Sequence, residues 1–523
     1  MRLIYLFSVL LFLYVNLVSS QRQCSEKRFQ GDNMVCTCNA TYCDDVPKIP
    51  KLDRFTAAII TSSLTGHRFA TKKNTFEPKR KSAKRNDVIR IRVDPRTFYQ
   101  EIYGFGGAFT DAAGINLASL SVESRGKLLE AFFSKENGIG YTFGRVPMAS
   151  TDFGTREYSY VDQKDDFELK TFALQDEDIK YKIPFILQAQ NITGGTLRLF
   201  SSPWSAPGWM KTNNRMIGGA PLKGDLNSTY YVSWANYFVK FFEKYADQGV
   251  HYWGLTMQNE PTSGINPDYT WQTMYFNAFM QREFLVNHLG PALQKNPLTK
   301  GLKVMVLDDD RPQLPSWADE IWSDPLADQF AHGIGIHWYM DTFARAELLT
   351  ETAIRHPNKF ILATEACSGF LGIHGPILGD WGRAESYAAD IIDDLNNFVV
   401  GWVDWNLCLD TNGGPTFVGN FADSPILVNA SADVFYKQPI YYAMGHFSAW
   451  IPVGSDRIKS TSYGNDGSLK FSAFTHRSRR TLVILNRGDA PKSIAIEDAL
   501  MPERILTAEL EGHSITTILW HKA

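Results

Sequence analysis

The chain has no excess of either charge: 53 Lys and Arg face 56 Asp and Glu among 523 residues, for a formal charge of −3. That balance gives no electrostatic footprint for nucleic acid. After the first 20 residues there is no apolar run long enough to span a bilayer. Internal repeats and low-complexity tracts are absent, which argues against a solenoid. No Gly-x-Ser-x-Gly turn offers a serine nucleophile. His332 and His337 lack ligand spacing. Cysteine is scarce and unevenly placed: four of the six (Cys24, Cys36, Cys38, Cys43) fall in one short segment, as in a locally stapled piece of an oxidised protein. A zinc knuckle there would need a reducing compartment, and the segment has no His. Cys367 and Cys408 are remote from it and are expected to be free.

What is present agrees with export. Residues 1–20, MRLIYLFSVLLFLYVNLVSS, combine an early Arg2, an apolar stretch and small residues at Val18 and Ser20. They read as a secretory signal peptide; Ser8 and Asn16 disfavour an uncleaved anchor. The remainder is expected to be soluble and luminal or extracellular. Asn39, Asn191, Asn227 and Asn429 each begin a glycosylation sequon. Without Arg2 the formal charge is −4, and protonating all 11 His would bring it to +7. The protein therefore turns cationic in an acidic compartment, which favours anionic lipid.

Hydrophobic residues make up 44% of the chain, enough for a large core. From 101 to 406, eight short apolar runs end in polar or aromatic residues, each followed by a helical stretch: IYGFGGAFTD, FGRVPMASTD, LRLFSSPW, WGLTMQNE, LKVMVLDDD, GIGIHWY, FILATEA and GWVDWN. This alternation predicts a parallel (β/α)8 barrel with its chemistry at the carboxyl ends of the strands. The segment YYVSWANYFVKFFEKYADQG is amphipathic and can end at Gly249; WQTMYFNAFMQREFLVNHLG is expected to end likewise at Gly290. Period-two patterning in 52–100 and from 454 onward predicts a β-sandwich assembled from both chain ends. The seven Lys and Arg of residues 72–85 read as a solvated hairpin, with acidic membrane or an acidic protein as the sharper alternative.

Glu260 and Glu365 end the fourth and seventh runs, on opposite sides of such a barrel. One protonated carboxyl and one ionised carboxylate across a barrel mouth is what glycoside hydrolysis needs. Trp204, Trp338, Tyr339, Trp381, Trp402 and Trp405 lie at or near strand ends and can stack on sugar faces. Asp152, Asn259 and Asn420 can hold hydroxyls, and Arg145 can keep a carboxylate ionised. The glycines of GFGGAF let the first strand bend or pack closely rather than cradle phosphate. Asp308, Asp309 and Asp310 read as a solvated turn with one Asp paired to Arg311.

CTCNATYCD, FGGAFTDAA, RVPMASTDF, SPWSAPGWMKTN, NEP, HWY, ATEAC, GWVDWNLCLD and YKQPIYYAMGHFS, taken in order, resemble glycoside hydrolase family 30 and within it the lysosomal glucosylceramidases. The resemblance spans nearly the whole chain. It implies a retaining β-glucosidase that cleaves glucosylceramide to glucose and ceramide through a covalent glucosyl-enzyme, in sphingolipid catabolism. Glu260 is then the acid/base and Glu365 the nucleophile. Asp152, Trp204, Asn259, Trp405 and Asn420 match the glucose-binding positions, and Arg145, His337 and Tyr339 the shell around the carboxylates. The implied disulfides are Cys24–Cys36 and Cys38–Cys43. The implied parts are a three-stranded disulfide-bearing sheet (21–51 with 407–438), the sandwich (52–100 with 454–523) and the barrel (101–406 with 439–453). Also implied are the lysosomal lumen, the luminal face of an anionic phospholipid membrane and a saposin-type activator, with no metal or other cofactor. Three features depart from the pattern: Thr151 stands where vertebrate members have Cys, and Trp271 and the basic cluster have no counterpart. Two other readings share some of these residues, a β-glycosidase for soluble glycans and a non-catalytic sugar-binding barrel.

Overall fold

In the computed structural model, the residues described are 21–79, 88–370, 372–465 and 467–521. The segment expected to be a signal peptide, 1–20, and residues 80–85 of the basic cluster lie outside them.

Eight strands form a closed parallel barrel. They are β1 (Gly104–Ala108), β2 (Phe143–Met148), β3 (Arg198–Pro203), β4 (Gly254–Thr256), β5 (Lys303–Asp310), β6 (Ala331–His337), β7 (Phe360–Glu365) and β8 (Val399–Asn406). Every strand pairs with its sequence neighbours, and β8 closes on β1 through Gly401 to Gly104. Nearly every strand residue is buried, which is why the runs lack alternation. At Gly106 a Cβ would meet the Phe143 carbonyl oxygen at 2.2 Å, so glycine there allows β1 and β2 to approach.

Between β3 and β4 the helix Thr229–Ala246 buries Tyr231, Trp234, Phe238, Phe241, Phe242 and Tyr245 on one face. Each such side chain contributes about 2–3 kcal/mol on burial. Gly249, at φ 80°, supplies the left-handed residue that ends the helical stretch. The expectation for Gly290 is corrected. The helix begins only after Asn277, whose side chain accepts from the Met280 amide. It then passes through Gly290 to Lys295 with one wider turn at Leu285–Leu289. A Cβ at Gly290 would lie 2.3 Å from the Phe330 ring, so packing rather than capping selects glycine.

Strands from both chain ends interleave in one ten-stranded sheet. Ile89–Ile102 lies between Ser455–Tyr463 and Lys492–Asp498, and Thr56–Ser63 pairs with Ser514–His521. The sheet encloses its own core around Ile59, Ile91, Leu482, Ile496, Leu506 and Trp520. The disulfide-bearing sheet has five strands rather than the three expected. The additions are Glu26–Arg28 and Cys408–Asp410, short pieces flanking a recognisable centre. Cys24 is bonded to Cys36 and Cys38 to Cys43, while Cys367 and Cys408 are free and buried. Asn191 and Asn227 are exposed; Asn39 and Asn429 are half-buried on the two strands that flank Val434. Of the basic cluster, Lys72 and Lys73 are exposed on an outer strand and Lys79 pairs with Glu497 at 3.1 Å. No helix among the described residues is long and apolar enough to cross a membrane.

Candidate active site

The carboxyl ends of the barrel strands surround a cavity of about 360 Å3. Its lining includes Asp152, Trp204, Asn259, Glu260, Tyr339, Glu365, Trp405 and Asn420, so eight of the ten residues singled out for catalysis, sugar binding and support meet in one place. The other two, Arg145 and His337, lie directly beneath, both fully buried or nearly so.

Arg145 organises the floor. From β2 it pairs with Glu365 and donates to Asn259 Oδ1 at 2.8 Å, to Asp308 Oδ2 at 2.9 Å and to Ser202 Oγ at 3.1 Å. Its guanidinium also lies 4.8 Å from the Trp204 ring and 5.4 Å from that of Trp405. These two indoles stack at 4.9 Å and form an apolar wall. Tyr339 Oη donates to the other Glu365 oxygen at 2.6 Å. The imidazole of His337 spans Glu260 Oε1 at 3.2 Å and Asp308 Oδ1 at 3.3 Å.

Glu260 sits just beyond β4 at φ 42°, in the left-handed region. For a side chain with a Cβ this costs about 1–3 kcal/mol, so its surroundings must hold it. Its amide donates to the Asp308 carbonyl at 2.8 Å, and Tyr269 Oη donates to its Oε2 at 3.2 Å. One oxygen of Glu260, one of Glu365 and a nitrogen of His337 all lie within 4.8 Å of one another. The two glutamates therefore face each other closely.

The electrostatics follow from this packing. Burial opposes a charge on His337, but Glu365, Asp308 and Glu260 outweigh it and raise the imidazole well above its ordinary range. Burial likewise opposes ionisation of Asp308, yet Arg145 and His337 hold its carboxyl far below the usual range. Burial raises the Glu365 carboxyl, His337 and Arg145 draw it down, and Glu260 pushes it up. Two cations, Arg145 and His337, thus balance three carboxyl groups when one glutamate keeps a proton. Asp152, buried and receiving the Asn420 amide at 2.8 Å, is raised to about 7, mainly by burial.

Asp308, Asp309 and Asp310 are not a solvated turn. They end strand β5, and Asp308 and Asp309 are both buried. Left-handed φ angles at Leu307 and Asp308, with a register shift against β6, break the alternation that would have separated them. Arg311 pairs instead with Asp341 and Asp394. Asp308 is the main omission of the sequence reading; a carboxylate at the end of an apolar strand was the available signal. Tyr269 and Gln258 were also missed. Gln258 donates to the Trp204 carbonyl at 2.7 Å and fixes the loop carrying that indole. Among the aromatic candidates, Trp338, Trp381 and Trp402 are structural. Their indole N–H groups bond the Cys367 carbonyl, Glu385 and Asp390 respectively.

Glu260, His337 and Glu365 have the donor types of a metal site. Both ring nitrogens of His337 are already engaged by Glu260 and Asp308, so the three side chains form part of a charged hydrogen-bonded cluster. Cys38 and Cys43, grouped with Asp44, are joined in a disulfide and offer no thiolate.

Residues 102–451 match the glycosyl hydrolase family 30 TIM-barrel domain, and residues 454–518 match the glycosyl hydrolase family 30 beta sandwich domain. The lysosomal acid glucosylceramidase of Mus musculus is 39% identical over 518 residues, covering 98% of each chain. Among solved structures, SrfJ from Salmonella typhimurium superimposes with a TM-score of 0.81 at 27% identity, over 90% of this chain and 100% of its own. The endo-beta1,6-glucanase BT3312 gives 0.77 at 26%, over 89% and 99%.

Proposed function

The chain belongs to glycosyl hydrolase family 30 and is a glycoside hydrolase; from that premise we propose that it is a retaining β-glucosidase acting on glucosylceramide in sphingolipid breakdown. The observation that carries the mechanism is the closeness of Glu260 and Glu365, with oxygens within 4.8 Å. Retaining enzymes hold their carboxyl groups about 5–5.5 Å apart, whereas inverting ones leave about 6.5–9.5 Å for an intervening water.

In the first step Glu365 attacks the anomeric carbon while Glu260 gives its proton to the glycosidic oxygen, and ceramide departs. The glucosyl group is left as an ester on Glu365. In the second step Glu260, now ionised, takes a proton from water as that water attacks the anomeric carbon, and glucose leaves with Glu365 restored. Arg145 and Tyr339 aim the nucleophile and stabilise its charge when it is released. Asp152, Asn259 and Asn420 bind hydroxyls, with Trp204 and Trp405 forming the apolar wall of the glucose site. The amide of Asn259 is free to face the sugar because its oxygen is taken by Arg145.

An amphiphilic substrate is supported by apolar residues exposed on the loops that follow the strands: Ile265 after β4, Met340 and Phe343 after β6, Ile373 after β7 and Phe421 after β8. They surround the mouth on several sides, where an anionic phospholipid surface presenting the lipid would lie. A saposin-type activator and the lysosomal lumen belong to the same proposal, as does N-glycosylation at Asn39, Asn191, Asn227 and Asn429. The named glucanase relative supports a second reading, a hydrolase for soluble β-glucans. Turnover of glucosylceramide in anionic micelles, compared with β-1,6-linked oligosaccharides, separates the two.

Glu260→Gln and Glu365→Gln test the assignment. Both should abolish β-glucoside hydrolysis, and only the wild type and the Glu260 variant should be labelled by a mechanism-based fluoroglucoside. Undiminished turnover in either variant contradicts these roles.

A further inference from the structure

Outside the pocket lining, Lys211 is fully buried, yet no carboxylate among the described residues bonds its ammonium. Nζ donates instead to three main-chain carbonyls, of Met216 at 2.7 Å, Gly218 at 3.0 Å and Thr273 at 2.5 Å. Three donors meeting three acceptors is the complement of an ammonium. A neutral amine has two N–H groups and would turn a lone pair toward the third oxygen.

The carbonyls come from two segments, the loop after β3 and the loop after β4. These are also stitched by Gly218 N to the Trp271 carbonyl and Thr273 N to the Met216 carbonyl, each 3.3 Å. The second segment controls Glu260. Thr273 Oγ1 lies 2.7 Å from Ser263 Oγ, which donates to the Glu260 carbonyl at 2.7 Å. Tyr269, in the same loop, donates to the Glu260 carboxyl. A left-handed residue depends on such neighbours to stay in place.

We propose that Lys211 is a positioning residue for Glu260: its ammonium, donating to carbonyls of both segments, clamps the loops after β3 and β4 together and so holds the wall against which Glu260 rests. The proposal rests on Glu260 being the acid/base. Burial pushes the Lys211 ammonium down to about 7, Glu157 drawing it up and Arg215 lowering it further. In an acidic compartment the clamp is charged and closed. Because that value lies below the one the unfolded chain shows, stability from this group is not lost as pH rises, and opening the clamp takes removal of the side chain rather than of its proton.

Hydrogen exchange compared between the wild-type protein and Lys211→Met at pH 5 needs no substrate and reads the clamp independently of the reaction assigned to the site. In the variant the amides of Gly218, Gly219 and Thr273 should lose about tenfold or more protection, with the strand amides of β5 unchanged. Equal protection in the two proteins overturns the proposal. Kinetics supply the second readout. Lys211→Met should lower kcat/KM about tenfold at pH 5, in line with loss of hydrogen bonds from a charged group. The loss should fall on kcat more than on KM, because the clamp positions the acid/base rather than the sugar. A Tyr269→Phe change should cost less in the Lys211→Met background than alone, because both act through Glu260. Single costs that simply add in the double variant, with only a lower melting temperature, make Lys211 structural and contradict the proposal.

Discussion

Asp308 accepts a hydrogen bond from the Arg145 guanidinium at 2.9 Å, and both side chains are wholly shielded from solvent. Because the other Asp308 oxygen meets His337, this carboxylate ties the support of Glu365 to the support of Glu260. Asp308→Asn keeps the shape but leaves two buried cations with less compensation. Removing one partner of a buried ion pair costs about 3–5 kcal/mol. We expect a lower melting temperature and a loss in kcat of about 100-fold or more; activity within a factor of three of wild type contradicts the linkage.

Tyr339 holds Glu365 through a single hydroxyl at 2.6 Å. Tyr339→Phe should therefore act on the chemical steps more than on binding. A fall in kcat of about tenfold with KM changed less corresponds to one hydrogen bond to a charged group. Steady-state kinetics on an aryl β-glucoside read this directly.

His446 is buried between Ser62 and Thr517, and burial pushes it down to about 3. The folded protein therefore refuses a proton that the unfolded chain accepts below its ordinary value near 6.5. Stability from this group is full above that value and is lost as pH falls toward the folded value. At pH 4.5 the loss is about 2–3 kcal/mol. His446→Gln should flatten the dependence of melting temperature on pH between 6.5 and 4.5; an unchanged slope excludes His446 as its source.

Gly106→Ala places a Cβ 2.2 Å from the Phe143 carbonyl oxygen, a backbone atom that cannot turn aside. Separating β1 from β2 would displace Arg145. Soluble expression should fall sharply, and any folded fraction should be less active than wild type, as measured by turnover per active site titrated with a fluoroglucoside.

Much of this site was legible in the sequence because strand ends are. An apolar run stopping at a carboxylate marks Glu260 and Glu365 whatever their partners, and the family resemblance identified the residues around them. Asp308 ends an apolar run in the same way, but which of three adjacent Asp residues turns into the barrel depends on left-handed backbone at Leu307 and Asp308, which composition does not encode. Trp402 and Trp381 failed as sugar platforms because a tryptophan at a strand end or helix start serves equally to bond a buried acid. Lys211 and Tyr269 were hidden for another reason. Lys211 gathers main-chain carbonyls from the loops after β3 and β4, and Tyr269 reaches back to Glu260 within the second of these loops, contacts that only the folded loops create.

The central claim is double displacement between Glu260 and Glu365. Proton NMR of the first turnovers on a β-glucoside, run faster than mutarotation, identifies the anomer of glucose released. Retention requires β-glucose to appear first and α-glucose to follow by mutarotation. Initial release of α-glucose would contradict the account and would mean that water, rather than Glu365, attacks the anomeric carbon.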